Sequence, residues 1–137
     1  MNDPLLELPG YSLRRAAAAM MAEFAARIEP LGLRIADVSA LLVIGANAGL
    51  TASQLGRMLE IQRANMVPLI ARLESAGLIE RRPLDGKSHS LELTDAGQAK
   101  LAEARSVIAT FEGWLVGKVP AEHRDHLKPA LDALWRG

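Results

Sequence analysis

The sequence predicts a mainly α-helical chain interrupted by one β-hairpin, and three observations predict it. Half of the 137 residues are hydrophobic while only 4% are aromatic, a core composition led by the good helix formers Leu and Ala. Apolar positions recur at three- and four-residue steps over most of the length. Between Leu78 and Leu93 alone the period drops to two, on either side of an Asp85-Gly86 turn signal.

Taken in order, Leu13, Ala17, Met20, Phe24 and Ile28 form one apolar stripe. They predict a first helix over about 12–30, capped by Ser12 and stopped at Pro30 and Gly32. A dense apolar stretch from Ile35 to Ala46, closed by Asn47-Ala48-Gly49, predicts a buried second helix. Thr51-Ala52-Ser53-Gln54 has capping-box spacing and opens a short third helix, Ala52 to Leu59, with Leu55, Met58 and Leu59 inward. Glu60-Ile61-Gln62 is the tight turn into a fourth helix, from Arg63 to about Ala76. Its buried stripe is Met66, Leu69, Ile70 and Leu73, and Gly77 is its C-cap. The hairpin pairs 78–82 with 89–93 across a polar tip. Thr94 caps a fifth helix reaching about Val116, and Pro120 starts a sixth, with Leu127, Leu131, Leu134 and Trp135 along one side and Pro129 inside it.

That order places a winged helix–turn–helix at residues 35–93. It is flanked by helices at 1–30 and 95–137 whose broad apolar faces look like a dimerisation platform built from both ends of the chain. The whole, 1–137, has the size of a single domain. There is no cysteine, which excludes a disulfide framework, a Cys-ligated metal, a Cys nucleophile and thiol-based sensing of oxidants. No run of about 18 uncharged apolar residues exists and no basic leader precedes an apolar segment, so the expectation is a cytoplasmic protein without a membrane partner.

The helix–turn–helix carries the chemistry. A recognition helix presents small or polar side chains on the face turned away from its core. Here those are Arg63, suited to a phosphate or a guanine edge, and Asn65, whose amide matches adenine N6 and N7. Ala64, Val67 and Pro68 are suited to thymine methyl groups. Gln62, Thr51, Ser53 and Gln54 can hold phosphates, and the hairpin adds Arg81, Arg82, Lys87, Ser88 and His89. Arg72 and Arg82 are equally suited to pairing with neighbouring carboxylates. The formal net charge is zero, and from 51 to 93 six basic residues face five acidic ones, so non-specific affinity for a polyanion is expected to be modest. The predicted partner is double-stranded DNA. A winged helix used for dimerisation or protein contact is the alternative. An enzyme has little support: there is no Gly-rich phosphate loop and no nucleophile elbow. His123 and His126 share a helical face without a third strong ligand, so neither a metal nor a cofactor is expected.

These residues resemble the MarR family of bacterial transcription regulators. The resemblance rests on Leu55-Gly56-Arg57-Met58-Leu59 and on the run from Asn65 through Arg72-Leu73-Glu74 to Gly77-Leu78-Ile79. It extends to Arg81-Arg82, Asp85-Gly86-Lys87 and Leu91-Glu92-Leu93-Thr94-Asp95-Ala96-Gly97. It implies a homodimer held by the terminal helices and a pseudo-palindromic operator. It also implies repression relieved by a small phenolic or other anionic ligand. Where the family's wing commonly has Asp followed two residues later by Arg, this chain has Asp85 and Lys87. Ala64, Asn65 and Pro68 depart from the usual recognition-helix residues, and Arg34-Ile35 from the usual Thr-Pro start of the second helix. For the effector, the expected crevice lies between the terminal-helix platform and the second helix, with Tyr11, Arg15, Met20, Phe24, Val38 and Leu42 as candidates.

Overall fold

The computed structural model describes residues 1–137. Its elements are α1 (Pro9–Ile28), α2 (Ile35–Ala46), α3 (Ala52–Leu59), α4 (Arg63–Ser75), β1 (Ile79–Pro83), β2 (His89–Leu93), α5 (Asp95–Gly117) and α6 (Arg124–Trp135). Short 3-10 turns occupy Pro4–Glu7, Glu29–Leu31 and Ala121–His123. The strands pair antiparallel, with Ile79 opposite Leu93 and Pro83 opposite His89.

Local chemistry explains most boundaries. The hydroxyl of Thr51 accepts from the Gln54 N–H (3.2 Å) and the Gln54 side chain accepts from the Thr51 N–H (2.9 Å), so the capping box of α3 is closed in both directions. Thr94 accepts from the Gly97 N–H and caps α5. Asn47 ends α2 by donating to the Val43 carbonyl at 2.8 Å. Past α4, Gly77 takes φ +74°, the left-handed turn that glycine accommodates without steric cost.

The start of α1 differs from expectation. The helix begins at Pro9 and Ser12 is not its cap, because the Ser12 N–H already donates to the Leu8 carbonyl. Proline has a fixed φ and no N–H, which suits the first helical position. The sixth helix also starts late: Pro120 opens a 3-10 turn and α6 proper begins at Arg124. Met58 is corrected too. It is 56% exposed, since α3 lies on the edge of the core and only Leu55 and Gly56 are fully covered.

The core gathers Val38, Ala40, Leu41 and Ile44 of α2 with Leu55, the inner stripe of α4, Leu91, Leu101 and Ala104. A backbone bond from the Leu91 N–H to the Leu50 carbonyl (2.8 Å) ties the hairpin to the loop before α3. Gly97 permits a close approach, because a Cβ there would sit 2.0 Å from the Leu78 carbonyl oxygen. Outside this core, α1 and α5 cross through Phe24 and Phe111, whose ring centres are 5.0 Å apart. No residue of α6 is buried. No helix is long and apolar enough to cross a membrane.

Candidate nucleic-acid interface

Helices α3 and α4 are joined by a turn in which Glu60 takes φ +54°, the one non-glycine residue in the left-handed region. Gly56 lets Met66 pack close behind the turn, with the Met66 side chain 3.2 Å from where a Cβ would be. The two helices enclose an open groove of about 650 Å³, lined by Ser53, Arg57, Gln62, Arg63, Val67 and Arg81 among others.

One face of α4 is buried at Met66, Leu69, Ile70 and Leu73, as the spacing predicts. The other face is covered by nothing: Arg63, Ala64, Asn65, Val67, Pro68 and Ala71 are all exposed. Gln62 is exposed at its N-cap and makes no side-chain cap bond. At the start of α3, Ser53 is exposed. Thr51 and Gln54 use one oxygen each in the capping box, which leaves the Thr51 O–H and the Gln54 NH₂ as donors facing outward.

The basic residues divide into two groups. Arg72 turns back to the core and donates to Asp37 of α2 at 2.5 Å; the Asp37 side chain is only 5% exposed and also accepts from the Arg34 N–H at 2.7 Å. Arg81 makes two bonds to Glu74, at 3.0 and 3.1 Å, holding β1 to α4. Arg82 grips Glu80 in the same way. That hydrogen bond, with the charges of Glu80 and then Glu92, raises its pKa above the ordinary arginine value. Glu80 and Glu92 stand directly opposite across the hairpin, a like-charge pair that would be unfavourable alone, and Arg82 offsets it. By contrast Arg57, Arg63 and Lys87 form no ion pair within the chain.

So the residues proposed from sequence fall into three places. Arg63, Ala64, Asn65, Pro68, Gln62 and Ser53 share the outer surface of the helix–turn–helix with Thr51 and Gln54. Lys87 and Ser88 are exposed at the wing tip. Arg72 and Arg82 are engaged with carboxylates. Val67, also named from the sequence, lines the same groove, and so does Arg57, which the sequence reading did not single out. The signal for Arg57 was present: it stands four residues after Ser53, one turn along the same face of α3.

The effector candidates separate. Tyr11 and Arg15 are bonded to each other (2.9 Å) near the start of α1. At 100° per residue, Met20 and Phe24 lie on the opposite side of that helix. Val38 is buried in the core, 2% exposed, and Leu42 packs against it. One chain therefore does not bring the six into a common pocket. An open, mainly apolar hollow of about 700 Å³ lies instead between the end of α1 and the start of α2. Ala22, Ala25, Leu33 and Ile35 line it, with Glu29 and Arg34 also on its wall. No group of three or more His, Asp or Glu side chains comes together to hold a metal ion.

A sequence profile described as the MarR family matches residues 31–88. The transcriptional repressor CouR, solved bound to a 23-mer DNA duplex, is 37% identical. The match covers 96% of this chain and 95% of that one, with a TM-score of 0.88. CouR bound to p-coumaroyl-CoA also gives a TM-score of 0.88, at 35% identity over 99% and 97% of the two chains. The HTH-type transcriptional repressor Rv2887 of Mycobacterium tuberculosis is 27% identical over 91% of each chain.

Proposed function

The chain belongs to the MarR family of transcription regulators, and from that premise we propose that it is a ligand-responsive repressor that binds a pseudo-palindromic DNA operator as a cytoplasmic homodimer. The observation that carries this reading is the uncovered outer face of α4, with Arg63 and Asn65 near its first turn and the Lys87 wing beside it.

The second copy is supported by surface area. The chain alone exposes 9511 Å², whereas a compact monomer of its mass exposes about 6,900 Å². Large apolar side chains are part of that exposed surface: Leu6 and Leu8 before α1, Met21 on it, and Leu134 and Trp135 on α6. A partner contributing the same surfaces would bury them around a two-fold axis. In that dimer the two α4 helices enter successive major grooves about 34 Å apart, and 35–93 serves as the reading head of a platform made from 1–30 and 95–137.

Repression is relieved when an effector binds the two spacings of the heads unequally. CouR and Rv2887 have been solved with p-coumaroyl-CoA and with salicylic acid, both anionic phenolic compounds. We place a ligand of that class at the α1–α2 hollow, where apolar walls meet Arg34. The deciding experiment is a mobility-shift assay of the full-length protein against the DNA adjoining its own gene, with p-coumaroyl-CoA and salicylate titrated in. A shifted duplex released by either compound is the expected result. Failure to retain any duplex at low salt would sink the reading.

A further inference from the structure

Helix α4 carries two apolar stripes. The inner one, at 66, 69, 70 and 73, is the core contact. The outer one, Ala64, Val67, Pro68 and Ala71, follows the same i, i+3, i+4, i+7 pattern and is exposed along its whole length, Val67 to 68%. Neither Val67 nor Pro68 is part of the hydrophobic core or packs against it. A β-branched residue on a solvent-facing helix position gains nothing from packing, and Pro68, inside the helix, removes the bond that would otherwise reach the Ala64 carbonyl. Side chains that break local rules without an internal benefit point to an external partner.

We propose that this outer stripe reads the C5-methyl groups of pyrimidines, thymine above all, in the major groove, and that Val67 is the residue that sets this preference. The inference rests on the DNA-binding reading above and specifies what that interface recognises. The thymine methyl is the one apolar group on a major-groove edge. From Ala64 to Ala71 the stripe rises through seven steps of about 1.5 Å, about 10 Å in all, which matches about three base-pair steps of 3.4 Å. Unpaired Arg57 and Arg63 line the groove beside Val67, so the apolar strip is bordered by charges suited to phosphates rather than to an apolar protein surface.

The test begins with selection of duplexes from a random pool by the full-length protein. The enriched duplex is then remade with deoxyuridine for thymine at a single position of one half-site at a time, which removes one methyl and leaves the hydrogen-bonding edge intact. A fully buried methyl is worth about fourfold in affinity. At the positions under α4 each replacement is therefore expected to weaken binding by that factor. Val67→Ala, on an exposed position that leaves the fold intact, should bring the thymine-to-uracil ratio close to one. Substituting 5-methylcytosine·guanine and, separately, cytosine·guanine distinguishes the methyl from the rest of the pair; the methylated pair should bind about fourfold tighter. Equal binding of thymine and uracil duplexes by the native protein overturns the proposal, as does an unchanged ratio in Val67→Ala. If no duplex is enriched at all, the DNA-binding reading itself has failed.

Discussion

Arg72 and Asn65 are both exposed to reading as DNA contacts in the sequence, and they lie seven residues apart on nearly the same line of α4. The structure gives them different work. Arg72 holds the buried carboxylate of Asp37, whereas Asn65 ends in solvent. Removing Arg72 leaves Asp37 with the Arg34 N–H as its remaining partner. Because the Arg72 side chain is 36% exposed, solvent screening reduces the cost from that of a fully buried pair to about 1–2 kcal/mol. Arg72→Ala should therefore lower the urea midpoint while leaving the ratio of specific to non-specific DNA binding unchanged; a lost ratio with undiminished stability would restore it as a DNA contact. For Asn65→Ala the expectation is reversed. Stability stays level, and affinity for the preferred duplex falls by about 1–3 kcal/mol with relaxed discrimination at one base pair. The Asp37–Arg72 link was not legible in the sequence, since the partners are 35 positions apart and nothing local joins them.

At the scale of elements, legibility followed the caps. The bounds of α2 and α3, and the start and buried stripe of α4, could be read because Asn47, the Thr51–Gln54 box and Gly77 act through near neighbours. The start of α1 was missed because Ser12 has cap chemistry while Pro9, three residues earlier, has the stronger geometric claim. Met58 was misplaced because spacing assigns a face but not whether anything lies behind it. The junction of hairpin and α5 makes a sharp prediction. A methyl group at Gly97 would collide with the Leu78 carbonyl, the same oxygen that accepts from the Thr94 N–H. Backbone on both sides cannot yield as a flexible side chain can, so Gly97→Ala should destabilise the fold by about 2–4 kcal/mol, seen as a lowered thermal midpoint. An unaltered midpoint would mean that the hairpin and α5 can separate without cost.

The whole molecule is incomplete as a single copy, and this too was legible only in part. The apolar faces of the terminal helices were evident from their periodicity, but that no residue of α6 is fully buried against its own chain required the structure. Leu134→Asp with Trp135→Asp should convert the protein to a monomer by sedimentation and abolish tight operator binding, since each half-site alone retains only its own contacts. A dimer surviving both changes would place the interface elsewhere. The charge pattern gives a second expectation at this scale. Three unpaired cations per copy in the interface, Arg57, Arg63 and Lys87, make six in the dimer. The logarithm of the binding constant should then fall against the logarithm of salt with a slope of about −5. A much steeper slope would show that the arginine–glutamate pairs open on DNA.

Those pairs have a consequence for how the protein spends its time in the cell. A regulator must find a few sites among a vast excess of random sequence, and every spare cation lengthens its stay on the wrong ones. With Arg72, Arg81 and Arg82 tied to its own carboxylates, the chain offers fewer free cations to arbitrary duplex, and its grip there is expected to be weak. A small number of copies can then remain largely unsequestered and answer promptly when the inducing compound is exhausted.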